Sequence, residues 1–211
     1  MKKIFLKDVG IVTIAQIVVG LSALLYTIIT SRLLGVADYG LFQAVIALFA
    51  SVSVFNLSLN LATTHGVGVS EDHIKPRIVG EFLWIAMLVG GLSAIIIIGL
   101  SPWLKNIINT ESQFPILCLS LMIVARAVLT TFYGALQGNN RYSSFSAAKI
   151  IESLICLGVG TALIVAGAGV SGALLGYVLS MLIVIVVFFL FEAIFVNYKK
   201  VFFVLKMKYV L

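Results

Sequence analysis

The sequence predicts an all-α integral membrane protein, a bundle of six transmembrane helices. Three observations carry that prediction. Of 211 residues, 62% are hydrophobic and 10% charged, against about 45–50% and about 25% in a soluble domain. The mean hydropathy is +1.19, an apolar excess that no water-soluble globule hides. The apolar residues also fall into six runs, at about 9–31, 39–65, 81–100, 114–136, 144–166 and 173–196, each close to the ~20 residues that cross a bilayer. Residues 1–196 therefore read as one transmembrane unit, and 197–211 as a basic, apolar tail.

The first span follows Lys2, Lys3 and Lys7. It is too long for a secretory signal and runs on into Ser31-Arg32, so it reads as a retained helix. Gln16, Gly20, Ala23, Thr27 and Thr30 fall on one helical stripe of small and polar side chains. Such a stripe is either a packing seam or a cavity wall. The turn through Arg32, Gly35, Asp38 and Gly40 is short, and is expected to hold the first two helices antiparallel and in contact. On the second span Ser53, Asn56, Asn60 and Thr64 share a face; two asparagines one turn apart are costly against lipid, so that face looks inward.

The loop over 66–80 is the most polar, and Ser70-Glu71-Asp72 within it reads as a helix start. His73 has no Cys or second His nearby and reads as a solvated loop residue, not a ligand. Trp84 and Trp103 flank the third span like interfacial anchors, and Gly90-Gly91 marks a close helix contact. A turn over 101–113 leads to the fourth span. The fifth and sixth are joined by Gly167-Ala168-Gly169-Val170-Ser171-Gly172, and Gly172-x-x-x-Gly176 is a helix-contact motif. Cys118 and Cys156 lie within apolar runs and read as small buried hydrophobes. The tail over 197–211 is either an interfacial helix or the lead-in to a further span.

Six spans put both termini on one side. On that side fall Lys2, Lys3, Lys7, Lys75, Arg77, Arg141, Lys199, Lys200, Lys206 and Lys208, ten cations; Arg32 and Lys105 fall on the other. The positive-inside rule assigns the ten to the cytoplasm. The formal charge of +6 thus flanks membrane spans and forms no basic, aromatic stripe for nucleic acid.

Arg126, Lys149 and Glu152 lie inside spans, where a charge costs a few kcal/mol and so faces protein or water. Counting at 1.5 Å per residue from the turn near Asn139 places Arg126 roughly 16 Å and Glu152 roughly 13 Å deep, near the midplane of a ~30 Å core. Lys149 is one turn from Glu152 on the same face. Two cations and one anion leave a net positive centre. Two readings are open: a structural Arg126–Glu152 bridge, or a cationic patch facing a water-filled cavity. Arg32, at a span end, either snorkels to headgroups or faces that cavity. The candidate binding or translocation residues are Arg32, Arg126, Lys149, Glu152, Gln16, Asn56 and Asn60.

Two segments resemble a known family. Ser31-Arg32-Leu33-Leu34-Gly35-x-x-Asp38-Tyr39-Gly40-x-Phe42 and Gly134-Ala135-Leu136-Gln137-Gly138-x-x-Arg141-Tyr142 are similar to recurrent segments of polysaccharide-biosynthesis flippases, of the O-antigen and capsule type. The resemblance implies the multidrug/oligosaccharidyl-lipid/polysaccharide exporter superfamily, whose members place two six-helix lobes around a central cavity. It implies the movement of undecaprenyl-diphosphate-linked oligosaccharide across the inner membrane by alternating access. The chain matches the first lobe only, so the partners it implies are the lipid bilayer, the lipid-linked oligosaccharide and a second six-helix lobe. Arg32 lies within a matched motif; Arg126 does not, and rests on the depth argument.

Two other functions compete. One is the lobe of a drug or cation antiporter, which would be expected to bury acids in the first lobe; the first span has none between Asp8 and Asp38. The other is a non-transporting scaffold. No metal cluster, nucleophile with an adjacent His, or phosphate-cradling glycine loop stands in the sequence, so no enzyme activity, catalytic residue, metal or cofactor is expected.

Overall fold

The computed structural model describes residues 2–108, 110 and 112–195; the tail over 197–211, with both readings of it, lies outside them. Among the described residues the chain is helical, with no strand. The helices are α1 (Lys2–Leu33), α2 (Gly35–Val69), α3 (Lys75–Gly99), a short α4 (Ser101–Ile108), α5 (Phe114–Gly138), α6 (Tyr142–Leu163) and α7 (Gly169–Phe195). A π-type turn, Ile164–Ala168, joins the last two. Six of the helices are long. Helix α2, at 35 residues, measures about 52 Å, well beyond a ~30 Å hydrocarbon core.

Backbone chemistry sets the breaks. Gly35 (φ 74°), Gly167 (φ 90°) and Gly169 (φ 54°) adopt left-handed conformations that side chains resist. Pro76 and Pro115 sit in the first turns of α3 and α5, where the missing N–H costs nothing. The stretch expected as a turn over 101–113 contains α4, whose Trp103 is exposed. In the α2–α3 connection Lys75 Nζ lies 2.7 Å from Asp72 Oδ1. The hydrogen bond and charge of Lys75 hold the Asp72 carboxyl below its usual range.

Helix α5 is the centre of the bundle, with α2, α3 and α7 packed around it. A second group forms where α1 lies along α6, and α6 along α7. Large apolar side chains such as Leu21, Phe55, Leu57, Ile95 and Phe189 cover the outside, as bilayer solvation requires.

Helices α1 and α2 touch along little of their length. The expectation that a short hairpin holds them in contact is therefore corrected. A one-residue break fixes only where the helices begin; each then finds the partner whose surface fits. For α2 that partner is α5. Gly134 and Gly138 let the two backbones meet: a Cβ at Gly134 would lie 2.8 Å from the Asn60 carbonyl oxygen, and one at Gly138 2.7 Å from that of Thr64. Asn60 Nδ2 donates to the Thr130 carbonyl (3.2 Å) and Thr64 Oγ1 to that of Gly134 (3.3 Å). Small residues that admit close approach, with side-chain hydrogen bonds across the seam, are how helices associate in lipid.

For α1 the partner is α6 with α7, and the deciding side chain is Tyr26. Its hydroxyl donates to the Ala173 carbonyl at 2.8 Å, and its ring seats on Gly160, which has no room for a Cβ. Gly176 approaches Gly160 so closely that a Cβ on it would lie 2.5 Å from the Gly160 Cα. The buried stripe of α1 is accordingly Ala15, Ser22, Tyr26 and Thr30. Of the predicted stripe Thr30 is buried, whereas Gln16, Gly20, Ala23 and Thr27 are exposed, because burying one aromatic ring outweighs burying several small side chains. Of the predicted glycine pair on α3, Gly90 is packed on Val124 and Ala127 of α5, whereas Gly91 faces open space.

Tyr26→Phe keeps the ring and removes one buried hydrogen bond. It will cost about 1 kcal/mol, a fall of roughly 2–4 °C in Tm for a chain of this size, measured by thermal unfolding in detergent micelles.

Candidate functional site: a charged cluster inside the bundle

Arg126 on α5 and Glu152 on α6 meet where the two helix groups face each other. The distance from Arg126 Nη2 to Glu152 Oε1 is 2.8 Å. The second carboxylate oxygen, Oε2, accepts the hydroxyl of Tyr133 at 2.7 Å. Tyr133 stands seven residues, two turns, after Arg126 on the same face of α5. One carboxylate therefore holds two donors from α5 and clips that helix to α6, with which it otherwise makes little contact. The guanidinium also lies 5.7 Å from the centre of the Phe49 ring of α2, a cation–π contact.

Lys149 is arranged differently. Its Nζ sits 5.3 Å from the Tyr133 ring centre and 5.7 Å from that of Phe145. Among the described residues no carboxylate approaches it within 4.0 Å, although Glu152 is one turn away. The cluster thus holds two cations and one anion, the balance the sequence predicts, with the anion engaged by Arg126.

The cluster opens into a cavity of about 170 Å³, lined by Ser22 and Tyr26 of α1, Arg126, then Lys149, Glu152 and Cys156 of α6, and Tyr177 and Ser180 of α7. Exposed Ala23 of α1 stands at its rim. At about 30 Å³ per water in the liquid, there is room for about six waters. That is below the ~300–1,000 Å³ of a site for a drug-sized ligand. The hydroxyls of Ser22 and Ser180 donate to the carbonyls of Val18 and Tyr177.

The structure brings together Arg126, Lys149 and Glu152, and places the other four candidates elsewhere. Gln16 and Arg32 are on the exposed side of α1, away from the cavity wall. Asn56 is half-buried on α2, and Asn60 is engaged in the α2–α5 seam. Sequence reading missed Tyr133, Tyr26 and Phe49. The two-turn spacing of Arg126 and Tyr133 was the available signal for the first; nothing local marked the others, which come from different helices.

A family model described as "Polysaccharide biosynthesis protein" matches residues 5–211. The chain belongs to that family. Two uncharacterized proteins from two strains of Mycobacterium tuberculosis are each 28% identical to this family member over 141 residues, 61% of this chain and 32% of theirs. The chain thus spans about a third of the length of the curated relatives it matches. Among solved structures, an outward-facing multidrug resistance MATE family transporter of the MOP superfamily superposes with a TM-score of 0.78 at 17% identity. The match covers 93% of this chain and 45% of that one. A MOP superfamily transporter from Pyrococcus furiosus gives 0.75 at 16% identity, over 90% and 45%. This member of the polysaccharide biosynthesis family is therefore a multi-pass membrane protein with the helical fold of slightly less than half of those transporters.

Proposed function

We propose that this chain is one lobe, the N-terminal one, of an exporter that carries a lipid-linked oligosaccharide of the undecaprenyl-diphosphate type from the inner to the outer leaflet by alternating access. The family match and the fold support a membrane exporter of polysaccharide precursors. The observation that carries the ligand class is the excess of cations over carboxylates around a cavity of about 170 Å³ inside the lobe. A diphosphate headgroup needs compensating positive charge to leave water, and no catalytic group. In this reading the protein resides in the inner membrane with both termini cytoplasmic, and a second six-helix lobe completes the central passage, in keeping with the 45% coverage of the solved transporters.

The multidrug reading, suggested by the first of those neighbours, fits the interior less well. A cation antiporter needs an acid free to exchange its counter-ion, whereas both oxygens of Glu152 are already engaged. Deletion of the gene separates the two. The export reading predicts that lipid-linked oligosaccharide accumulates on the cytoplasmic leaflet and that surface polysaccharide is lost, with unchanged sensitivity to cationic drugs. Heightened drug sensitivity with normal surface polysaccharide would reverse the assignment.

A further inference from the structure

The geometry points to a division of labour within the cluster: Lys149 is the cation that contacts a phosphate-type oxyanion, while Arg126 is a positioning residue whose charge Glu152 holds in reserve. The inference rests on the export reading and assigns the contact within that site.

Electrostatics separates the two cations. At 2.8 Å from Glu152 Oε1, the Arg126 guanidinium has a full counter-charge, and an incoming anion must displace a carboxylate to use it. Lys149 has no such competitor among the described residues. Its ammonium is flanked by the faces of Tyr133 and Phe145, which attract it but accept no strong hydrogen bond, so its three donors remain for a ligand. It lines the cavity, and the net positive charge of the cluster is its own.

The cavity, at about 170 Å³, has room for a phosphate or diphosphate group with a few waters. The headgroup would enter past Ala23 while the glycan stays outside.

The test uses the full chain in phosphatidylcholine nanodiscs, titrated calorimetrically with inorganic diphosphate. Wild type will bind. Lys149→Met will weaken binding tenfold or more, the effect of losing a charged hydrogen bond, whereas Lys149→Arg will stay within about threefold. Glu152→Gln will bind more tightly than wild type, because it frees Arg126; a merely structural role for the cluster would not produce that gain. Lys75→Met, which removes one cation from the α2–α3 connection, will match wild type. Equal binding by Lys149→Met and wild type, or looser binding by Glu152→Gln, overturns the inference.

Nanodiscs carrying a polyprenyl diphosphate supply the second arm. If that lipid competes with inorganic diphosphate, the ligand is a lipid headgroup. If it does not compete while Lys149 still governs binding, the oxyanion site stands and the export reading falls. If lipid-linked oligosaccharide is exported normally by Lys149→Met, the export reading stands and the division of labour falls.

Discussion

Arg126→Gln will abolish export and destabilise the bundle, and adding Glu152→Gln will restore both. The single substitution leaves Glu152 with a hydroxyl partner and no counter-charge in direct contact. Removing one member of a fully buried pair costs about 3–5 kcal/mol. About a fifth of the Arg126 side chain remains exposed, so the low end, about 3 kcal/mol, is expected. The substitution also cancels the positive excess of the cavity, because Lys149 and Glu152 then balance. With Glu152 neutralised as well, two amides replace two charges, Tyr133 keeps an acceptor, and Lys149 again supplies the net charge. Thermal unfolding in detergent gives the stability arm; surface polysaccharide in a deletion strain gives the export arm. A double variant that folds but does not export would make Arg126 itself the ligand contact.

Gly134→Leu will part α2 from α5. The added side chain meets the Asn60 carbonyl oxygen and the Thr63 Cβ, backbone-anchored atoms that cannot rotate away. Overpacking of this kind costs typically 1–3 kcal/mol, and contact with backbone puts it at about 3 kcal/mol, or roughly 6–12 °C in Tm. The Asn60–Thr130 and Thr64–Gly134 hydrogen bonds cross the same seam and will be lost with it. Gly91→Ala is the control. It lies in a helix of the same bundle, and a Cβ there meets nothing within 4 Å, so the substitution will be neutral or slightly stabilising through helix propensity. Equal Tm losses at the two positions would mean that the seam does not hold the lobe together.

What the sequence made legible follows from what is local. Bilayer solvation imposes long apolar runs, so the all-helical membrane fold could be read from composition and run length. Arg126 and Glu152 could be paired because a short turn and a fixed rise per residue set their depths, and the 2.8 Å contact agrees. The α1 stripe was right at Thr30 but one position off along the rest of the helix: Ala15, Ser22 and Tyr26 are buried, where Gln16, Ala23 and Thr27 were expected. Small residues gave the periodicity, but the surface that decides the rotation belongs to Gly160 and Gly176, far along the chain. The separation of α1 from α2 was illegible for the same reason. Helix partners are chosen by surface fit, and adjacency in sequence constrains only the hinge at Gly35. Asn60 was correctly turned inward, but toward Thr130 in a packing seam; a polar residue in a span signals an enclosed environment without telling protein from water.

The chain carries its own probe of the water in the cavity. Cys156 lines the charged cavity, whereas Cys118, also buried, lies in the apolar core of α5 outside its wall. In native membranes, a Cys118→Ala variant should be labelled at Cys156 by small water-soluble thiosulfonates, and faster by the anionic sulfonatoethyl reagent than by its cationic aminoethyl counterpart. The complementary Cys156→Ala variant should stay unlabelled. Labelling of Cys156 that favours the cation, or a Cys156 as inert as Cys118, would contradict a cation-rich aqueous cavity at the centre of this lobe.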